Sequence, residues 1–315
     1  MIDIIGKRRW YFLISLLVIV PGLVAMIYSW ATFGSPLRLS VDFTSGSLLE
    51  LTFASPVLPA DVRQVYIDRG YLDTSVQTAE NDRTVLIRSK QLPLATKQSI
   101  VADLEARFGP AEERRYESVG PAVGREVTRA ASIAVAAGAL AIVAFIVIAF
   151  RGVPNSVRYG VCAVVAMFHD VLVTAGLFSI MGLIAGWEID ALFLTAMLTV
   201  VGFSVQDTIV VFDRIRENTP KRRGEPFEAI VNRSLLETLH RSLATQLNAM
   251  FVLVAILLFG GATIKQFVAT LFVGMVSGTY SSIFNAVPLL VVWETGEAGA
   301  ALRRLFGRRA VRATG

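Results

Sequence analysis

Six apolar stretches of about membrane-crossing length run through the chain, and nothing else in the sequence restricts its fold as strongly. They cover residues 10–30, 127–150, 157–184, 189–212, 242–260 and 264–293. A helix needs about 20 such residues to cross ~30 Å of hydrocarbon, and within a bilayer only helices and closed barrels satisfy every backbone polar group. The pattern predicts an α-helical polytopic membrane protein with six transmembrane helices. At 54% hydrophobic and 17% charged residues, the chain is too apolar for an ordinary soluble domain. Lys7, Arg8 and Arg9 precede the first stretch as in a signal peptide, but its apolar run exceeds the ~7–15 residues usual there, so it reads as a retained anchor. Cys162 is the single cysteine and lies within an apolar stretch, which excludes an internal disulfide and any cysteine-rich metal spacing.

Orientation follows from the short loops, because the cytoplasmic side keeps the excess of Lys and Arg. If six helices alternate, one side collects Lys7, Arg8, Arg9, Arg151, Arg158, Arg214, Arg216, Lys221, Arg222, Arg223, Arg233 and the tail residues Arg303, Arg304, Arg308, Arg309 and Arg312. The opposite short loops hold only Glu188, Asp190 and Lys265. Both termini are therefore expected in the cytoplasm. The formal charge of +5 is explained by this topology and not by a nucleic-acid partner.

The organisation expected is a cytoplasmic N-terminus with the first helix in residues 1–30, an extracytoplasmic domain in 31–126, a five-helix membrane domain in 127–293 and a basic cytoplasmic tail in 294–315. Within the insert, residues 47–53 alternate like a strand and 59–69 follow a Pro with helical spacing. Residues 75–78 and 84–88 read as a hairpin across Asn81-Asp82. Residues 94–108 repeat apolar positions at helical spacing up to Gly109-Pro110, and a last strand is expected at 115–119. The order βαββαβ is that of a ferredoxin-like α+β domain, a scaffold that specifies no chemistry by itself.

Charged groups inside the spans carry the functional argument. An Asp near the bilayer centre costs at least ~2.5–3.5 kcal/mol on insertion scales, so such a residue usually faces a protein interior and marks an ion path. Asp207 lies seven residues before Arg214, about 10 Å inside the end of its helix. Burial favours its neutral form and a neighbouring cation its charged form, so it can relay a proton as the partner moves; a permanent structural ion pair is the alternative. Arg241 opens the fifth span, with Thr245 and Asn248 at i+4 and i+7 on the same helix face. It reads either as a fixed cation tuning Asp207 or as a snorkelling residue that sets topology. Asp170 in the third span is a second relay candidate. Adjacent His169 points about 100° away along the helix and reads as either a pathway or a packing residue. Gly274 and Gly278 form a GxxxG spacing beside Ser277, Ser281 and Ser282, which favours close helix packing in lipid. No catalytic triad, metal cluster or phosphate loop is visible, so no enzyme activity is expected. An intramembrane aspartyl protease using Asp170 and Asp207 remains a rival class, although a Gly-Asp signature is missing.

Several segments taken in order and spacing carry a family resemblance. They are Val41-Asp42-Phe43-Thr44-Ser45-Gly46-Ser47, Ser118-Val119-Gly120-Pro121-Ala122-Val123-Gly124, His169-Asp170, the block 201–218, Asn232-Arg233-Ser234-Leu235, His240-Arg241-Ser242 and Gly278-Thr279-Tyr280-Ser281-Ser282-Ile283. Together they make the chain similar to the SecF family, the smaller membrane subunit of the bacterial SecD and SecF protein-export complex. The chain has Gln206 where that family usually has Asn, and Ser45-Gly46-Ser47 in place of a Gly-Gly-Thr-like turn.

The resemblance implies an RND-type fold in the bacterial cytoplasmic (inner) membrane, paired with a homologous six-helix unit of SecD. It further implies contact with the SecYEG channel, with YajC and YidC as additional candidate partners, and with unfolded secretory polypeptide and membrane lipid. The implied work is promotion of late export steps by the proton-motive force, with H⁺ as the coupling ion, Na⁺ as the alternative, and no other cofactor. It assigns the ion relay to Asp207, Arg241 and Asp170, with Ser204, Gln206, Thr208, Thr245, Asn248 and His169 as supporting polar residues. The alternatives within the same architecture are half of a small-molecule exporter and a purely structural partner of SecD.

Overall fold

A computed structural model describes residues 3–79, 82–151, 156–222 and 224–297. Arg223, Asn81 and the basic residues of the C-terminal tail lie outside them. Among the described residues six helices are long and apolar enough to cross a membrane: Ile5–Phe33, Pro121–Ala149, Ser156–Ala185, Ala191–Lys221, Phe227–Phe259 and Ile264–Glu294. The chain divides into two compact units. One holds the described residues up to Arg38, Val135–Trp187 and those from Leu192 onward, and the other holds Leu39–Ala134 together with Glu188–Ala191.

In the helical unit, α1 (Arg8–Phe33) is followed, beyond the second unit, by the C-terminal part of α5 (Pro121–Phe150), then by α6 (Ser156–Ala185), α7 (Ala191–Lys221), α8 (Phe227–Phe259), α9 (Ala262–Ser281) and α10 (Val287–Glu294). Small residues decide where these helices meet. A Cβ on Gly22 of α1 would stand 2.7 Å from the Gly176 Cα of α6, so the two backbones touch directly. With no hydrophobic drive between helices in lipid, such close approach supplies the packing that holds them. Tyr159, Cys162, Ala166, Phe212, Ile215 and Leu235 form part of one buried cluster with Ile283, Val287 and Leu290. Between α9 and α10 a π-helical turn spans Ser282–Ala286. On that turn Asn285 is buried, and its Oδ1 accepts a 2.9 Å hydrogen bond from Ser15 Oγ of α1.

α8 begins well before the apolar stretch at 242–260. Ile230, Val231 and Leu235 are buried while Glu237 and Arg241 are not. This polar first half is an amphipathic lead-in that a search for continuous apolar residues passes over.

The second unit contains the short α2 (Val41–Thr44), β1 (Gly46–Phe53), α3 (Pro59–Asp68), β2 (Ser75–Ala79), β3 (Thr84–Ser89), α4 (Leu94–Phe108) and β4 (Ala111–Val119). The sheet is antiparallel in the order β2-β3-β1-β4. Leu49, Leu51 and Phe53 alternate on one face of β1 and pack with Val85 and Ile87 of β3. Val62, Val65 and Tyr66 of α3 and Ile100 and Leu104 of α4 complete that cluster. α4 stops at Gly109, whose φ of +93° ends the helix without strain. Burial pushes the Tyr66 phenol well above its usual range.

The contact between α1 and α6 generates a prediction. Gly22→Val should lower the melting temperature of the purified protein by the equivalent of about 1–3 kcal/mol, the usual cost of overpacking. Gly202→Val, at a position with nothing within 4 Å of a built Cβ, should leave melting almost unchanged. Equal melting of the two variants would show that α1 and α6 do not depend on the glycine pair.

Candidate functional site

Asp170 lies near the middle of α6 and is completely buried. Its Oδ2 accepts hydrogen bonds from Ser204 Oγ of α7 at 2.5 Å and Ser281 Oγ of α9 at 2.6 Å. Its Oδ1 accepts one from Ser277 Oγ at 2.7 Å and lies 3.0 Å from His169 Nδ1. A carboxylate offers about four lone-pair sites, and here all four have a partner. Ser277 and Ser281 are four residues apart, so both hydroxyls project from one face of α9. The glycines on α9 make this approach possible. A side chain at Gly274 would collide with Val200 of α7, and a Cβ at Gly278 would sit 3.4 Å from Ser204 Cα and 3.7 Å from Asp170 Oδ2.

Asp207 is three residues beyond Ser204, one turn along α7, and is 7% exposed. Its Oδ2 accepts a hydrogen bond from Gln246 Nε2 of α8. Among the described residues, no Lys or Arg forms an ion pair with Asp170 or Asp207; the only cationic candidate at either is His169 beside Asp170. Thr208 is buried and its hydroxyl bonds the Ser204 carbonyl at 3.0 Å. Gln206 points to the opposite, exposed side of α7.

The stripe expected from Arg241, Thr245 and Asn248 is a single face, but it is the exposed face of α8. Thr245 bonds the Arg241 carbonyl at 3.0 Å. Arg241 lines a cleft of about 330 Å³ with Asp213, Arg214, Glu217, Glu237 and Thr238. The buried polar face is instead Thr238, Ser242 and Gln246. Positions four apart stay aligned on a helix, whereas a shift of one residue turns the side chain by about 100°. Gln246, four residues after Ser242, thus shares its buried face, one residue out of step with the stripe of Arg241 and Thr245. His169 and Asp170 also differ from expectation. Although adjacent, they meet, with His169 Nδ1 3.0 Å from Asp170 Oδ1. His169 Nε2 and Gln246 Oε1 are buried with no hydrogen-bond partner among the described residues.

At the Lys221 end of α7, Arg214 bridges Glu217 at 2.7 Å and Glu237 of α8 at 2.6 Å. Asn218 Nδ2 donates to Ser234 Oγ and to Glu237, each at 2.9 Å. These contacts tie α7 to the first half of α8. Among the described residues no three His, Cys, Asp or Glu side chains group as a metal site.

Residues 100–296 match the family described as "Protein export membrane protein SecD/SecF, C-terminal", and residues 30–57 match the SecD/SecF GG motif. The chain is 50% identical over 301 residues to the protein translocase subunit SecF of Anaerolinea thermophila, covering 94% of this chain and 96% of that one. It is 48% identical over 316 residues to the SecF subunit of Thermobaculum terrenum, covering 96% and 98%. The crystal structure of SecDF, a translocon-associated membrane protein from Thermus thermophilus, superposes with a TM-score of 0.76 at 31% identity. That match covers 93% of this chain and 39% of the solved one, so the chain spans about two fifths of that structure. SecDF in its super-membrane-facing form gives a TM-score of 0.64 at 29% identity. Family match, near full-length identity and fold agree, and the chain belongs to the SecD/SecF family of protein-export membrane proteins, on its SecF side.

Proposed function

We propose that the chain acts as a SecF-type accessory subunit of the Sec translocase and uses the proton-motive force to promote late steps of protein export. It is a multi-pass subunit of the bacterial cytoplasmic membrane with both termini in the cytoplasm, and its insert, ferredoxin-like in strand order, lies outside. SecD supplies the second six-helix unit, a reading supported by the greater length of the SecDF chains that this fold matches. SecYEG is the channel served, YajC and YidC are further partners, and the emerging unfolded polypeptide is the load.

The observation that carries this reading is a buried Asp207 held by a neutral amide, one turn from an Asp170 that is fully hydrogen-bonded. Asp170 has no free acceptor site and serves as the fixed anchor. Asp207 has a single side-chain partner, so a proton, or Na⁺ as the alternative ion, changes its charge without dismantling the packing. Arg241 stands on the exposed face of α8, and its assignment to the relay is as the cation that this face presents to SecD. One elementary charge crossing 100 mV delivers ~2.3 kcal/mol, enough to bias a two-state arrangement nearly fiftyfold.

Asp207→Asn should abolish the gradient-stimulated part of secretion in reconstituted vesicles while assembly with SecD stays intact. Unchanged stimulation would remove the relay and leave a structural subunit. Asp170→Ala should act differently. By depriving three hydroxyls and an imidazole of their acceptor, it should destabilise the protein by about 1–3 kcal/mol, seen as a lower melting temperature that Asp207→Asn does not show. For orientation, Ser75→Cys and Arg222→Cys in a Cys162→Ser background should react with an impermeant maleimide from outside and from inside the cell respectively. The reverse labelling would invert the topology.

A further inference from the structure

The end of the connection between α6 and α7 and the first residue of α7, Glu188–Ala191, belong to the compact unit of the insert. Their contacts within that unit are specific. Ser40 N donates to the Ile189 carbonyl at 2.9 Å, and Leu39 and Ile189 pair as a short parallel bridge. Glu188 forms an ion pair with Arg88 of β3, whose Nη1 also donates to the Leu39 carbonyl at 3.2 Å. The Glu188 carboxylate is only 10% exposed, so this pair is not a loose surface contact.

Ala191 is the first residue of α7, and its N–H donates to Asp42 Oδ2 at 3.2 Å. The first four N–H groups of a helix lack intrahelical partners, and a carboxylate that accepts from one of them also meets the positive end of the helix dipole. Asp42 stands 149 positions away from Ala191 in sequence. It is set in place by α2, where its own N–H bonds Ser40 Oγ at 3.2 Å. The insert therefore supplies one acceptor to the first turn of α7 across a long stretch of sequence.

We propose that Asp42, Arg88 and Glu188 are positioning residues that clasp the Ala191 end of α7 to the insert, so that displacement of the helix carrying Asp207 is passed to the insert along α7 itself. Asp207 lies 16 residues from Ala191, about 24 Å along the axis, and no proline interrupts that length. A helix so held can move at its Asp207 level only by shifting its clasped end or by bending. The functional part of this inference rests on the gradient-driven reading above; the clasp itself does not.

Hydrogen exchange on the full-length protein in lipid nanodiscs tests the clasp. Asp42→Ala should speed exchange of the amides of residues 191–194 about fivefold, the loss of one cap, with α8 unaffected, and Asp42→Asn, which keeps an acceptor oxygen, should largely restore protection. Unchanged exchange at 191–194 would overturn the clasp. For the coupling, Arg88→Glu and Glu188→Arg should each lower the gradient-stimulated fraction of secretion at least about threefold while secretion without a gradient stays the same, and the double charge swap should recover it. Full stimulation in both single variants would overturn transmission along α7. Stimulation that survives Asp207→Asn would sink the gradient-driven reading and, with it, the transmission step, leaving the exchange result to decide the clasp.

Discussion

Two carboxylates sit in the interior of the helical unit, and they are hydrogen-bonded in unlike ways. Asp170 gathers Ser204, Ser277, Ser281 and His169 from α6, α7 and α9 onto its two oxygens. An unpaired carboxylate in such surroundings would cost several kcal/mol, so each of those donors is held in place by the penalty of leaving it. The three helices are thereby locked in register by one side chain. Around that lock Gly274 and Gly278 of α9 come close to Val200 and Ser204 of α7.

Asp207, one turn along α7 from Ser204, is buried without the same saturation. Its partner is a neutral amide from α8, the helix whose second half is mainly exposed. Where Asp170 binds helices that stay together, Asp207 contacts one whose apolar half is free to pack against something else. This division between a saturated anchor and a sparsely held neighbour one turn away gives the unit a fixed part and a responsive part. It also explains why the two acids need not be chemically equivalent although both lie in apolar helices.

Much of this architecture could be read directly from the residues. The six spans follow from apolar length alone, and the apolar repeat that stops at Gly109-Pro110 has the bounds of α4. β4 was seen only in its second half, because Glu112-Glu113-Arg114-Arg115 has no apolar alternation. The strand lies at the sheet edge, where one-sided pairing leaves those charges in solvent. The carboxylates Asp170 and Asp207 announced themselves by their cost, but their partners did not. Serines and a glutamine carry no such penalty in a sequence, and their roles depend on which of two neighbouring helix faces turns inward. Hence the contact of Gln246 with Asp207 has no signal in the sequence comparable to the charge of Arg241. Contacts between distant segments, such as Asp42 with Ala191, have no local signature at all.

The π-helical turn at Ser282–Ala286 has a consequence for how this chain tolerates change in length. Such a turn is equivalent to one extra residue wound into an α-helix, taken up locally so that the residues after it keep nearly the orientation they would have without it. Deleting one position within the turn would restore ordinary winding and leave Val287, Leu290 and Val291, now buried, facing the interior. A deletion beyond the turn meets no such slack and rotates every later side chain by about 100°. The last span therefore accommodates the loss of one residue at Ser282–Ala286 and nowhere after it.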